Sequence, residues 1–317
     1  MAQTGNTEPR QTSAGERTRP AQSSPRGRAS GAQQLSRGQQ RRRARQQAQR
    51  PWWRGPIPLI GIPVLVIVVI AIYIFIANQT SSSANAQIGQ PVSATILHQA
   101  TDVPPSVLAA VGGGIASPIP LRKISGPPLQ QNGKPEVLYI GADYCPHCAA
   151  IRWSLLNALS RFGTFSNLTY MRSAESDGNI ATVTFHGSSY TSKYISLVAL
   201  ENEDRNGQAQ DSLTSQQQQL LSTLGNNGYP FLDIAGVYAN DAPGAYAEGF
   251  DYSVLSGKDW TQIANALSNP ASPITRGIIG NANYETAAIC MVTHNQPASA
   301  CNTATIQRLQ RQLPTHP

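Results

Sequence analysis

Metal-ligating side chains are scarce. The 317 residues include four cysteines and five histidines, with no second Cys-x-x-Cys and no His-x-x-x-His. A zinc site, which needs about four ligands, therefore has no frame here. Aromatic residues are absent from the first fifty positions, and large aliphatic ones nearly so. Such a segment cannot bury enough apolar surface to fold and is expected to be disordered. The same absence leaves its basic run, Arg41-Arg42-Arg43 and Arg45, without interleaved rings on which bases would stack. No nucleic-acid partner is expected. Charge is missing from all 21 positions between Ile57 and Ala77. No internal repeat interrupts the remainder.

Residues 1–54 hold twelve of the 24 Lys and Arg but two of the 17 Asp and Glu. The basic balance thus belongs to the tail, where it serves as a topology determinant that also touches anionic headgroups. The charge-free run that follows is long enough to span a bilayer. Trp52 and Trp53 suit the interfacial aromatic belt, and Arg54 closes the basic flank. The positive-inside rule then puts the tail in the cytoplasm and the chain from about residue 80 outside. A signal peptide cleaved after Ala86, at Ala84-Asn85-Ala86, is the competing reading. The length of the apolar run and of the segment before it favours a single-pass anchor in the cell membrane. The expected organisation is a disordered tail over 1–54, a transmembrane helix over 57–77 and a Ser/Ala/Asn/Gln-rich linker over 78–100. An extracytoplasmic domain over 101–305 and a C-terminal tail over 306–317 complete it.

Within that domain Cys145-Pro146-His147-Cys148 carries the chemistry. Thiols two residues apart close a small ring, and the thiolate is the attacking species in disulfide exchange. Pro146 suits the first turn of a helix, which places Cys145 at its N-terminus, where the dipole favours negative charge. His147 adds a cationic or hydrogen-bonding neighbour. Glu136 to Ile140 reads as a strand and Cys148 to Phe162 as a helix capped by Gly163. Asp143 and Glu136 precede the motif as carboxylates able to tune it.

Pro104 and Pro105 open a short helix through Val111, and Leu121 to Ile124 is a strand. Asn132-Gly133 is a hairpin turn into the central strand. Asn167 to Arg172 reads as a second core strand, and Ala181 to His186 and Tyr194 to Leu200 as further strands. A helix N-capped by Asp211 ends at Leu224. Tyr229-Pro230 precedes an apolar strand, where a thioredoxin fold carries its cis-proline, and a Pro there holds the preceding residue extended. Ile234 to Tyr238 and an amphipathic helix from Trp260 to Leu267 complete the sheet and its last cover.

Cys290 and Cys301 form a structural disulfide in the favoured reading, contributing roughly 3 kcal/mol on a chain-entropy estimate; a second redox pair is the alternative. For Cys145 and Cys148, copper(I) binding with a distant histidine such as His186 is one alternative, since soft thiolates suit that ion. An inert disulfide is another. His98, His186, His294 and His316 have no partner at ligand spacing.

The segment from Gly133 to Trp153, with Thr184 to Tyr190, resembles an exported, membrane-anchored family labelled as a domain of unknown function (number 929). The resemblance covers most of residues 90–305 and implies an α/β thioredoxin-like fold, a mixed sheet flanked by helices. The Pro146-His147 dipeptide is similar to that of periplasmic disulfide-generating oxidases, although their large helical insertion has no counterpart here. That similarity implies Cys145 as nucleophile, Cys148 as resolving thiol, His147 as thiolate stabiliser and Pro230 as cis-proline. Tyr229 and Pro230 would then meet an extended substrate segment by strand addition. The expectation is a membrane-anchored thiol–disulfide oxidoreductase that donates disulfides to cysteine-containing exported proteins. It needs a redox partner but neither an organic cofactor nor a resident metal. A copper-handling module and a redox-inert interaction domain are the other classes.

Overall fold

The computed structural model describes residues 57–115, 119–240 and 249–317. The chain divides into two compact units, Met1–Ala71 and Ile72–Pro317. The expected disordered tail, with Trp52 and Trp53, lies outside the described residues. Helix α1 runs Ile57–Asn85 with Pro63 inside it. Its side chains are described over 61–75, where every one is exposed, including Ile62, Leu65, Ile67 and Phe75, and at Asn85, which is half-buried. Among the described residues no helix is long and apolar enough to cross a membrane.

The segment expected to be a linker contains a second helix. Helix α2, Ala94–Thr101, is capped by the Ser93 hydroxyl on Ile96 N and buries Ile96 and Ala100. Helix α3, Pro105–Val111, starts at its proline and ends at Gly112, where φ is 59°. This matches the punctuation of the sequence.

One mixed sheet organises the rest of that unit. Its strands are β1 Leu121–Lys123, β2 Gln130–Gln131 and β3 Lys134–Ala142, with β8 Ser196–Glu203, β9 Phe231–Ile234 and β10 Tyr238–Asn240. The order runs β1-β10-β9-β3, and β8 pairs with β3. Strand β3 is parallel to β8 and antiparallel to β9, and β10 is antiparallel to both β9 and β1. Asn132 and Gly133 both take positive φ in the β2–β3 turn, the Asn-Gly hairpin geometry. Strand β3 is buried from Val137 to Ala142 because both faces are covered. Val137 and Tyr139 point into one hydrophobic core, Leu138 and Ile140 into the other.

Helix α4, Pro146–Ser160, covers the first face and is buried at every residue from Cys148 to Leu159. A helix apolar nearly all round belongs inside. The sequence places its C-terminal cap at Gly163, but the helix ends earlier and Gly163 opens strand β4, Gly163–Ser166. Helix α5, Ser215–Thr223, covers the second face through Leu220 and Leu221. Thr214 with Gln217 caps it in a capping box, so Asp211 is not its cap. Asp211 instead accepts from Glu201 N at 2.9 Å.

Strand β5, Thr169–Arg172, buries Tyr170 in the core but lies outside the main sheet. It pairs with β6, Ala181–Thr184, in a separate two-stranded sheet, as β4 does with β7, Ser189–Ser192. The cause is local. A short turn at Glu175–Asp177 followed by Gly178 at φ 84° folds β5 and β6 together. Hydrogen bonds from Trp153 Nε1 to Ala181 O (2.9 Å) and from Thr182 Oγ1 to Ala149 O (2.8 Å) then fix the pair on α4.

Helix α6, Trp260–Ala266, forms as expected on a capping box of Asp259 and Gln262. It is not the last cover. Helix α7, Pro273–Val292, is twenty residues long, packs along α4 and was not legible as a helix. Two short helices follow, α8 Ala298–Cys301 and α9 Ala304–Gln310. The expected C-terminal tail is folded at its start, with Ile306, Leu309 and Leu313 buried.

Candidate functional site

Cys145 is the N-cap of α4, with extended backbone at φ −75° and ψ 126°. Pro146 follows at the first helical position, where a missing N–H costs nothing. The chain thus leaves β3 through Asp143 and Tyr144 and presents the Cys145 sulfur to the free amides of the first turn. Cys148 N donates to Cys145 Sγ at 3.4 Å. Both thiols are free, and relative exposure is 6% at Cys145 and 0% at Cys148.

Their acidities are driven apart. The Cys145 thiol is lowered from an ordinary 9.0 to about 7, chiefly by the hydrogen bond with the Cys148 thiol. Burial opposes this, while the Cys148 amide and the charges of His147 and Arg152 assist it. Cys148 moves the other way, pushed well up by burial, then by its hydrogen bond to Cys145 and by that partner's negative charge. One sulfur is made to ionise near neutrality and the other is held as a thiol.

The cis Tyr229–Pro230 bond sits beside this pair. The Cys145 thiol faces Tyr229 O at 3.9 Å, a long sulfur contact. Tyr144 and Tyr229 pack on the small cluster of Ala142, Cys145 and Cys148. Asn202 Nδ2 donates to the Tyr229 hydroxyl at 2.6 Å, and that hydroxyl lies 3.5 Å from Glu203 Oε1. His147 stands edge-on to Tyr252, centroids 4.8 Å apart and planes at 81°.

Behind the cysteines lies a charged cluster that motif reasoning missed. Arg152 on α4 is fully buried and donates through Nε (2.8 Å) and Nη2 (2.7 Å) to the two carboxylate oxygens of Glu201 on β8. The same Nη2 donates to Ala142 O at 2.8 Å and lies 3.3 Å from Asp143 Oδ1. Gln210 donates to the other oxygen of Asp143 at 3.0 Å. Burial lifts the Glu201 carboxyl to about 7, against the pull of Arg152. The available signal was an Arg inside an otherwise apolar helix, because a buried charge requires a partner.

Asp143 therefore joins the site, and Glu136 does not. Glu136 stands six positions before Ala142 on β3, roughly 20 Å away along an extended strand. His98 and His186 do have partners, Asp102 at 3.1 Å and Asp211 at 2.8 Å. Among the described residues no group of three or more His, Cys, Asp or Glu is placed to hold a metal ion. Cys290 and Cys301 are joined and fully buried, Cα atoms 5.5 Å apart, at the junction of α7 and α8.

The sequence model of a family described as Domain of unknown function (DUF929) matches residues 120–228. That segment carries β1 through α5, both Cys145 and Cys148, Arg152 and Glu201. It ends just before Tyr229-Pro230 and excludes Cys290 and Cys301. No curated protein and no solved structure matches the chain.

Proposed function

We propose that the chain is a membrane-anchored thiol–disulfide oxidoreductase of thioredoxin-like architecture, donating disulfides to exported proteins. The order β8-β3-β9-β10, with one parallel and two antiparallel pairings, supports the architecture. So does a Cys-x-x-Cys that opens a helix after the central strand and faces a cis-proline. The 21-position charge-free run of the sequence, Ile57 to Ala77, supports the anchor. The observation that carries the chemistry is the Cys145 sulfur at the N-terminus of α4, accepting from Cys148 N at 3.4 Å beside the cis Tyr229–Pro230 bond. This placement lowers Cys145 while burial pushes Cys148 up.

In the reaction, a substrate thiolate attacks Cys145 Sγ of the Cys145–Cys148 disulfide. The S–S bond breaks, Cys148 leaves as thiolate and takes up a proton, and a mixed disulfide forms. A second substrate thiolate attacks the substrate sulfur of that bond and expels Cys145 as thiolate. Two electrons pass from the substrate dithiol to the Cys145–Cys148 pair, and a disulfide-bearing redox partner restores it by the reverse exchange. A leaving thiol of low pKa departs faster, and a stabilised thiolate favours the reduced enzyme. Both effects point to oxidation of substrate. Tyr229 O, beside Cys145, is an acceptor for the backbone of an extended substrate segment.

In Cys148→Ser, made in the full chain, the Cys145 thiolate can still run the exchange in reverse, attacking a disulfide of an exported protein and expelling its other sulfur as thiolate. With no Cys148 to resolve the bond, mixed disulfides between Cys145 and envelope proteins are expected to accumulate as reductant-sensitive bands. An empty trap, with Cys145 still alkylatable, would remove the oxidoreductase reading.

A further inference from the structure

His147 lies in the motif, but its neighbour across the site comes from more than one hundred residues away. Phe250 to Leu255 brings Tyr252 against α4 as part of a short 3₁₀ turn, Tyr252–Leu255. Both ends of this segment are pinned. Phe250 is buried, and its ring lies so close to Gly277 of α7 that a Cβ there would come within 2.6 Å of it. Leu255 is fully buried, and the Asp251 carboxylate caps the turn by accepting from Ser253 N at 2.8 Å. Tyr252 is thus presented by a fixed frame, and its ring meets the His147 imidazole in a T-shaped pair, a directional contact.

We propose that Tyr252, with Asp251 beside it, is a positioning residue that holds the His147 ring in the orientation from which it stabilises the Cys145 thiolate. This rests on the oxidoreductase reading of Cys145 and deepens it, by assigning part of the driving force to a segment outside the motif and outside the residues matched by the family.

Electrostatics agree with the geometry. The charge of His147 helps draw Cys145 down and also helps hold Asp251 low, after the Ser253 hydrogen bonds that dominate there. The charge of His147 thus acts on both the Cys145 sulfur and the Asp251 carboxylate. The remaining titratable and charged neighbours of the site are Tyr139 on β3, Cys148 and Arg152 on α4, Asp143, Tyr144 and Tyr229 on the adjoining loops, and Glu201 and Glu203 on β8. None of these belongs to the Phe250–Leu255 segment, so changes at Tyr252 and Asp251 reach Cys145 through His147.

The test is the pH profile of Cys145 alkylation by iodoacetamide in the full chain, together with the glutathione equilibrium of the pair. The proteins compared are wild type, Tyr252→Phe, Tyr252→Ala, Asp251→Asn, His147→Ala and the double variant His147→Ala/Tyr252→Ala. Tyr252→Ala is expected to raise the Cys145 midpoint by half to one pH unit, about three- to tenfold less thiolate at pH 6, and to make the disulfide less oxidising. Tyr252→Phe keeps the ring and should stay at wild type. Asp251→Asn should shift the midpoint upward by less than Tyr252→Ala. In the His147→Ala background, Tyr252→Ala should add nothing. An equal shift with and without His147, or no shift in Tyr252→Ala, would overturn the proposal. The oxidoreductase reading fails separately, if the pair forms no reversible disulfide with glutathione, and the alkylation profile still reports on Tyr252 in that case.

Discussion

Cys145 is a buried thiol whose acidity moves against the usual effect of burial, because donors and cations at the α4 terminus outweigh desolvation. A pH titration of alkylation should show its midpoint near 7, with Cys148 unreactive across the same range. The stability consequence has a definite sign. A thiol with its folded pKa below 9.0 adds stability that is complete above pH 9 and lost as pH falls through about 7. Urea unfolding of reduced against oxidised protein should therefore show the reduced form gaining on the oxidised between pH 6 and pH 9, by up to about 3 kcal/mol. Glu201, raised by burial to about 7, costs stability as pH rises from 4.5 to 7. Both redox forms contain it, so it cancels in the difference. Arg152→Leu should destabilise by about 3–5 kcal/mol, since Glu201 and Asp143 are left buried without their cation. It should also move the Cys145 midpoint upward.

Elements differ in how openly the sequence declares them. Strand β3 and helix α4 are plain, an apolar run feeding a proline-started helix, and they position Cys145 and Cys148. Helix α7 was hidden because Thr275, Asn281, Asn283, Glu285 and Thr286 lie inside it, which erases the apolar stripe. Each is answered where it is buried. Thr275, Asn283 and Thr286 donate to the backbone carbonyls of Ala266, Gly112 and Ala282, and Asn281 and Glu285 bond to each other and to Ser154. Asn281 Nδ2 donates to Ser154 Oγ at 2.8 Å and to Glu285 Oε1 at 2.9 Å, and Ser154 Oγ donates to Glu285 Oε1 at 2.9 Å. Strands β5 and β6 were legible as strands, but their exclusion from the main sheet depends on bonds to α4 that no periodicity reveals. The Cys290–Cys301 link ties the end of α7 to α8 around a loop with a sequence separation of 11. Replacing both cysteines by serine should cost about 3 kcal/mol in urea unfolding. It should leave the Cys145 midpoint unchanged, whereas slower reoxidation or reduction of the Cys145–Cys148 pair would point to electron relay.

For the whole molecule, the proposed anchor rests on the sequence alone, where basic charge is concentrated before residue 55 and charge is absent from 57–77. The Tyr252 contact was not legible there, because only tertiary packing brings residue 252 to residue 147. If the chain is anchored as proposed, it should sediment with membranes and resist carbonate extraction. Protease added outside spheroplasts should digest the segment beyond residue 85 and spare the tail. The central claim is that this site is built to oxidise, and the reduction potential of Cys145–Cys148 in the full chain, equilibrated with glutathione, tests it most directly. A value well above the roughly −270 mV of cytosolic thioredoxin is the predicted result, and a value at or below it would contradict the account.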